Sequence, residues 1–211
     1  MKYKSLLLFL IMLLFAISGC DRPKLTGIEF DKIDVSQDPQ QTPYRSEEAI
    51  SRRIEDGFVS ITPLAEYKVS GVVVSKKSYS DDWESEISPI DLAIVWGKIA
   101  EPEFRKYITF NHGHRWYHYK WKEGSPFDAS YLITHSSNNH MIPVTKNVER
   151  ALKISRKRDR IVLEGYLVNL KGTYKGREVS WNTSLSRTDT GNGSCELFYV
   201  SKVRIGTKTY E

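Results

Sequence analysis

The chain of 211 residues predicts an α+β, β-rich domain: an antiparallel sheet or an OB-like, partly open barrel with one or two short helices. Three observations carry this expectation. Val179, Trp181, Thr183 and Leu185 alternate with Ser180, Asn182, Ser184 and Ser186, the period of a strand with one wet face. Strand-like runs flank it, Arg160 to Leu170 and Cys195 to Ile205, whereas helical spacing is confined to short stretches. The resulting order of strand, hairpin, helix, strand, strand is that of a five-stranded Greek-key barrel, with Ser88 to Gly97 and the run at 178 to 187 as insertions.

Lys2 and Lys4, the apolar run Leu6 to Ile17 and the small residues Ser18 and Gly19 are the three parts of an export signal. A bilayer span needs about 20 apolar residues, and Asp21, Arg22, Pro23 and Lys24 end this run before that length. The quartet Ile17-Ser18-Gly19-Cys20 resembles the lipobox of bacterial lipoproteins. The resemblance implies that residues 1–19 are removed and that Cys20 is acylated and becomes the new N-terminus. Several acyl chains on one residue hold a protein on a membrane where a single chain is marginal. An aspartate just after that cysteine goes with inner-membrane retention in enterobacterial lipoproteins, so Asp21 implies an anchor there, facing the periplasm. Loss of Lys2 and Lys4 lowers the formal net charge from +5 to +3, too mild for a nucleic-acid partner. With Cys20 lipidated, Cys195 is the remaining thiol, and packing rather than an internal disulfide has to hold the fold.

Residues 20–45 contain Pro23, Pro39, Pro43 and three glutamines without periodic apolar content, and read as an extended tether. Residues 46–211 read as one globular domain. Ser46, Glu47 and Glu48 followed by Ala49, Ile50, Arg53 and Ile54 predict a capped short helix ending at Gly57. Tyr67 to Ser75 predicts a strand, and Ser88 to Gly97 either a helix with Pro89 at its first position or a buried strand. Lys106 to Trp121 predicts a hairpin folded near Asn111-His112-Gly113. Val144, Val148, Ala151 and Leu152 share one side of a helix over 144–154.

Four constellations could carry chemistry. In "NHGHRWYHY", His112, His114 and His118 are weak metal-ligand candidates, since alternate imidazoles chelate zinc or copper but Gly113 bends the chain between the first two. From Arg115 a strand would place Arg115, Tyr117, Tyr119 and Trp121 on one face and Trp116, His118 and Lys120 on the other, so that one face is core and the other a stacking platform. Asp189-Thr190-Gly191 matches the aspartic-protease triplet, but no second copy exists, and a tight connection between strands needs the same residues. Cys195 with His140 as base, and Asn139 or Asp189 to orient it, has the parts of a cysteine hydrolase or acyl transferase. Against that, Cys195 shares strand parity with Leu197 and Tyr199, which predicts an inert core thiol.

Ser136 to Pro143 and Trp181 to Glu196 resemble motifs of an uncharacterised group of bacterial exported proteins with no activity attached. The resemblance implies that the two segments meet, gathering Asn139, His140, Trp181, Arg187, Asp189 and Glu196 into a polar cluster able to grip a ligand. The expectation is therefore a lipid-anchored binding or accessory module of the cell envelope, without a cofactor, whose partner is a glycan or a protein. The alternative is an enzyme, built on Cys195 and His140 or on a histidine metal site.

Overall fold

The computed structural model describes residues 22–45, 48–191 and 194–211. The segment read as an export signal, with Cys20 and Asp21, lies outside the described residues, as do Ser46 and Glu47. The elements run β1 Gly27–Ile28, β2 Gln40–Pro43, β3 Ile50–Ile54, β4 Gly57–Ser78, α1 Trp83–Ile87 and β5 Ile90–Val95. A 3-10 turn, Gly97–Ala100, then precedes α2 Pro102–Arg105, β6 Ile108–Gly113, β7 Trp116–Trp121, α3 Ala129–Thr134 and β8 Ser136–Pro143. Last come α4 Lys146–Ile154, β9 Arg160–Tyr174, β10 Arg177–Trp181, β11 Glu196–Ile205 and β12 Lys208–Tyr210.

Five strands pair in a ring. β4 pairs antiparallel with β5, and β5 with β8. β8 runs parallel to β11, which pairs antiparallel with β9, and β9 returns to β4. In chain order this is 1-2-3-5-4 with α4 between the third and fourth strands, the topology of the predicted OB-like, partly open barrel. The assignment of segments to it differs from the sequence reading. Ile90–Val95 is the second barrel strand, not an insertion, and it lacks alternation because both its faces are buried. Ser136–Pro143, which reads as a polar loop, is the third, and it too is buried throughout. The inserted element is the β6–β7 hairpin, a separate two-stranded sheet.

Inside the ring pack Tyr67, Val69, Leu92, Ile94, Met141, Leu163, Leu167 and Phe198, closed by Val148, Ala151 and Leu152 of α4. That helix starts where Thr145 Oγ1 accepts the Val148 N–H at 3.1 Å, an N-cap, and its apolar residues recur on one face as predicted. A second cluster lies outside β5, where Ala93 and Val95 meet Ile108 and Phe110 of the hairpin, Leu132 of α3, and Ile33 and Val35.

Three further expectations are corrected. The tether is seated on the domain: β1 pairs with β12, β2 pairs with β4, and Gly97 N–H donates to Val35 O at 2.7 Å. Ile33 and Val35 are too brief an alternation to stand out in the sequence, and they are buried only because β5 and the 3-10 turn offer a seat. The helix expected before Gly57 is the hairpin β3–β4, with Ile54 opposite Gly57. Gly57 lies so close to β9 that an added Cβ would stand 1.8 Å from Thr173 O, and the whole strand pairs along β4. The strand expected over 178–187 ends at Trp181, after which the chain loops back so that Ser184 N–H reaches Cys195 O at 2.9 Å. Among the described residues no helix is long and apolar enough to cross a membrane.

Candidate functional site

On the outer face of β5 and β8 the sheet carries a buried acid–histidine pair. Asp91 is 0% exposed and His140 3%, and they occupy opposed positions on the two strands. Adjacent antiparallel strands bring such side chains together, and Asp91 Oδ1 lies 2.9 Å from His140 Nδ1. Asp91 Oδ2 has no hydrogen-bond partner. A cation, Arg115, also stands at this acid: its Nη1 is 3.5 Å from Asp91 Oδ1 and donates to Ser88 O at 3.0 Å. Arg115 also pairs with Asp82 at 3.0 Å and Glu84 at 3.1 Å, two acids of the β4–β5 connection. Its guanidinium lies over the rings of Tyr79 and Trp181, 4.2 and 5.3 Å from their centroids. Burial, with the Asp91 charge near it, raises the Tyr79 hydroxyl's pKa and keeps it protonated.

His140 and Arg115 floor a cleft of about 860 Å³, with Asp91 buried behind them. Its walls come from the α1 connection (Tyr79, Asp82, Glu84), the hairpin tip (His112, Arg115, Trp116) and the end of β10 with the residue after it (Trp181, Asn182), with Cys195 at one border. The Trp181 ring stands 4.6 Å from that of His140. The hairpin is aimed by its turn, where His114 and Arg115 take left-handed backbone angles of 51° and 63°. Arg115 is thus a turn residue facing the acids rather than a member of the strand platform. The turn also falls two residues later than predicted.

Past that turn, Tyr117, Tyr119 and Trp121 do share a face, with ring centroids 5.8 and 5.7 Å apart in succession. That face packs onto Phe110 and the second core cluster, and Trp121 at its end stays exposed. Trp116, on the opposite face, lines the cleft. His112 spends both nitrogens, at 2.8 Å each, on Ser75 Oγ and Asn138 Oδ1, and burial lowers its pKa. His118 is exposed, and among the described residues no group of three or more His, Cys, Asp or Glu is disposed to hold a metal.

Cys195 is half-buried at the border of this cleft and a smaller neighbouring cavity of about 150 Å³, rather than in the core. Burial pushes its thiol up to about 11, against the Asn138 amide 3.5 Å away, so the nucleophilic thiolate is scarce near neutral pH. His140 is oriented by Asp91, not by Asn139 or Asp189. The smaller cavity holds Arg187, Asp189 and Glu196. Arg187 pairs with Glu196 at 2.7 Å and donates to the Tyr67 hydroxyl at 3.1 Å. Glu196 is 2% exposed, and burial, opposed by Arg187, lifts its carboxyl to about 7. Asp189 accepts from Ser184 Oγ at 2.6 Å.

The two segments expected to meet do so, since β8 and β11 pair with Asn139 beside Glu196 and His140 beside Leu197. They do not make one cluster. His140 and Trp181 lie in the cleft, whereas Arg187, Asp189 and Glu196 line the smaller cavity. Asn139 is turned to Ser137 Oγ, 2.8 Å from its amide nitrogen. Sequence reasoning missed Asp91, Tyr79, Asp82 and Glu84. One signal for Asp91 was present: a lone acid inside the apolar run "PIDLAIVW" has to be paired if that run is buried. No family model matches the chain, and no curated protein or solved structure is significantly similar to it.

Proposed function

We propose that the protein is a lipid-anchored envelope module that binds a neutral or amine-bearing glycan segment in the cleft over β5 and β8. The observation that carries this reading is the meeting of Trp116, Trp181 and His140, the last held by the buried Asp91 behind it, in one open cleft on two paired barrel strands. Sugar rings present apolar faces to aromatic side chains and hydroxyls to charged hydrogen-bonding groups. Asp81, Asp82 and Glu84 outnumber Lys77 and Arg115 around the cleft, which disfavours phosphate backbones and favours a neutral or cationic ligand. In barrels of this topology the face of the second and third strands, with the 1–2 and 4–5 connections, takes oligosaccharides and oligonucleotides. The same face, the α1 connection and the end of β10 with the residue after it form this cleft.

Calorimetric titration of the full chain with glycan strands released from peptidoglycan tests the reading. Binding weakened about tenfold by Trp181→Ala supports it, in line with the loss of one ring from a stacked site. Equal affinity of the two proteins, or no heat with any glycan, refutes it.

A further inference from the structure

The sequence Lys24-Leu25-Thr26-Gly27-Ile28-Glu29-Phe30-Asp31-Lys32 alternates in a way the cleft does not use. It is tied down as an edge: Gly27 and Ile28 pair with Thr209 and Lys208, and Glu29 N–H donates to Thr207 O at 2.9 Å. Glu29 accepts from Arg204 and from Thr209 Oγ1 at 2.8 Å each, and Asp31 accepts from Arg204 at 3.1 Å. Both acids thus engage the buried Arg204 guanidinium, and Asp31 does so from an exposed position. The alternate residues face out, with Ile28 55% and Phe30 87% exposed, the latter more than any other large apolar side chain described. Lys208 stands directly across from Ile28, and the exposed Lys24 and Lys32 flank the pair along the chain.

We infer that this edge rests on an anionic lipid surface, with Phe30 and Ile28 entering the headgroup layer and the three lysines meeting lipid phosphates. Two features favour a bilayer over another occupant. An apolar pair framed by amines matches the layered chemistry of an interface, where each cation near an anionic leaflet adds attraction. The edge also begins a few residues beyond Cys20, the residue that the membrane anchoring put forward above acylates, so an anchor there brings this face to the membrane surface. The inference rests on the membrane anchoring put forward above and gives the anchored domain one orientation.

The test is hydroxyl-radical footprinting of the full chain on vesicles of phosphatidylethanolamine with phosphatidylglycerol, after sedimentation has shown attachment. Oxidation at Phe30 and Ile28 is expected to fall several-fold relative to Trp121 and Phe58, two other exposed apolar residues. The protection should weaken when phosphatidylglycerol is replaced by phosphatidylcholine, and in the variant Lys24→Glu with Lys208→Glu. Oxidation of Phe30 equal to that of Trp121 on attached protein overturns the inference while leaving the anchor standing. Failure to sediment with vesicles overturns both. Protection that follows protein density but ignores lipid charge assigns the edge to a second copy of the chain and equally overturns it.

Discussion

Replacing Glu196 with Gln should abolish a specific acid-side gain in stability. Glu196 is buried and its carboxyl lifted from the ordinary 4.5 to about 7, chiefly by loss of water and against the pull of Arg187. A group with a raised folded-state pKa contributes stability that is complete below its unfolded value and lost as pH rises through the folded one. Between about pH 4.5 and 7 the folded chain holds this proton while the unfolded chain releases it, so unfolding free energy must fall with rising pH. At about 1.4 kcal/mol per pH unit, that interval is worth about 3 kcal/mol. Urea unfolding of wild type and Glu196→Gln at half-unit steps from pH 4 to 8 reads it, and the difference between the curves removes the other carboxylates. The wild type should lose about 3 kcal/mol relative to the variant across the window, then run parallel to it above pH 7. Parallel curves throughout would mean that Arg187 holds the carboxylate ionised in the folded protein and would refute the reasoning.

Three further outcomes follow from the geometry. Asp91→Ala removes the buried acceptor of His140 while Asp82 and Glu84 still pair with Arg115, and chemical denaturation should show a loss of about 1 to 3 kcal/mol. Iodoacetamide should alkylate Cys195 slowly at pH 7 and faster as pH climbs toward about 11; rapid labelling below pH 7 would revive the cysteine-hydrolase reading. Gly172→Ala places a methyl 2.0 Å from Phe58 O across the β4–β9 pairing, where backbone faces backbone, and should cost about 3 kcal/mol by thermal or urea unfolding.

The sequence by itself determined what local periodicity and covalent grammar can encode. The α4 helix follows from Val148, Ala151 and Leu152 on one face, and the β6–β7 hairpin, β9 and β11 follow from runs that alternate or stay apolar. The barrel order was legible as a class, because a helix before the last two strands restricts the ways a small sheet can close. What only the tertiary structure decided is burial that sequence polarity contradicts. Ser136 to His140 are polar yet covered, since Ser136, Asn138 and His140 find partners on α3, the hairpin and β5, and Asn139 bonds both to Ser137 and to Leu92 O of β5. Asp91 becomes a site residue because an antiparallel register sets it opposite His140, forty-nine residues away in the chain. Arg115 leaves its strand because two consecutive left-handed residues turn it toward the acids, and Ile33 and Val35 join the core because a distant strand offers a face. Each of these depends on an interaction partner remote in sequence, and a one-dimensional pattern carries no distance between such partners.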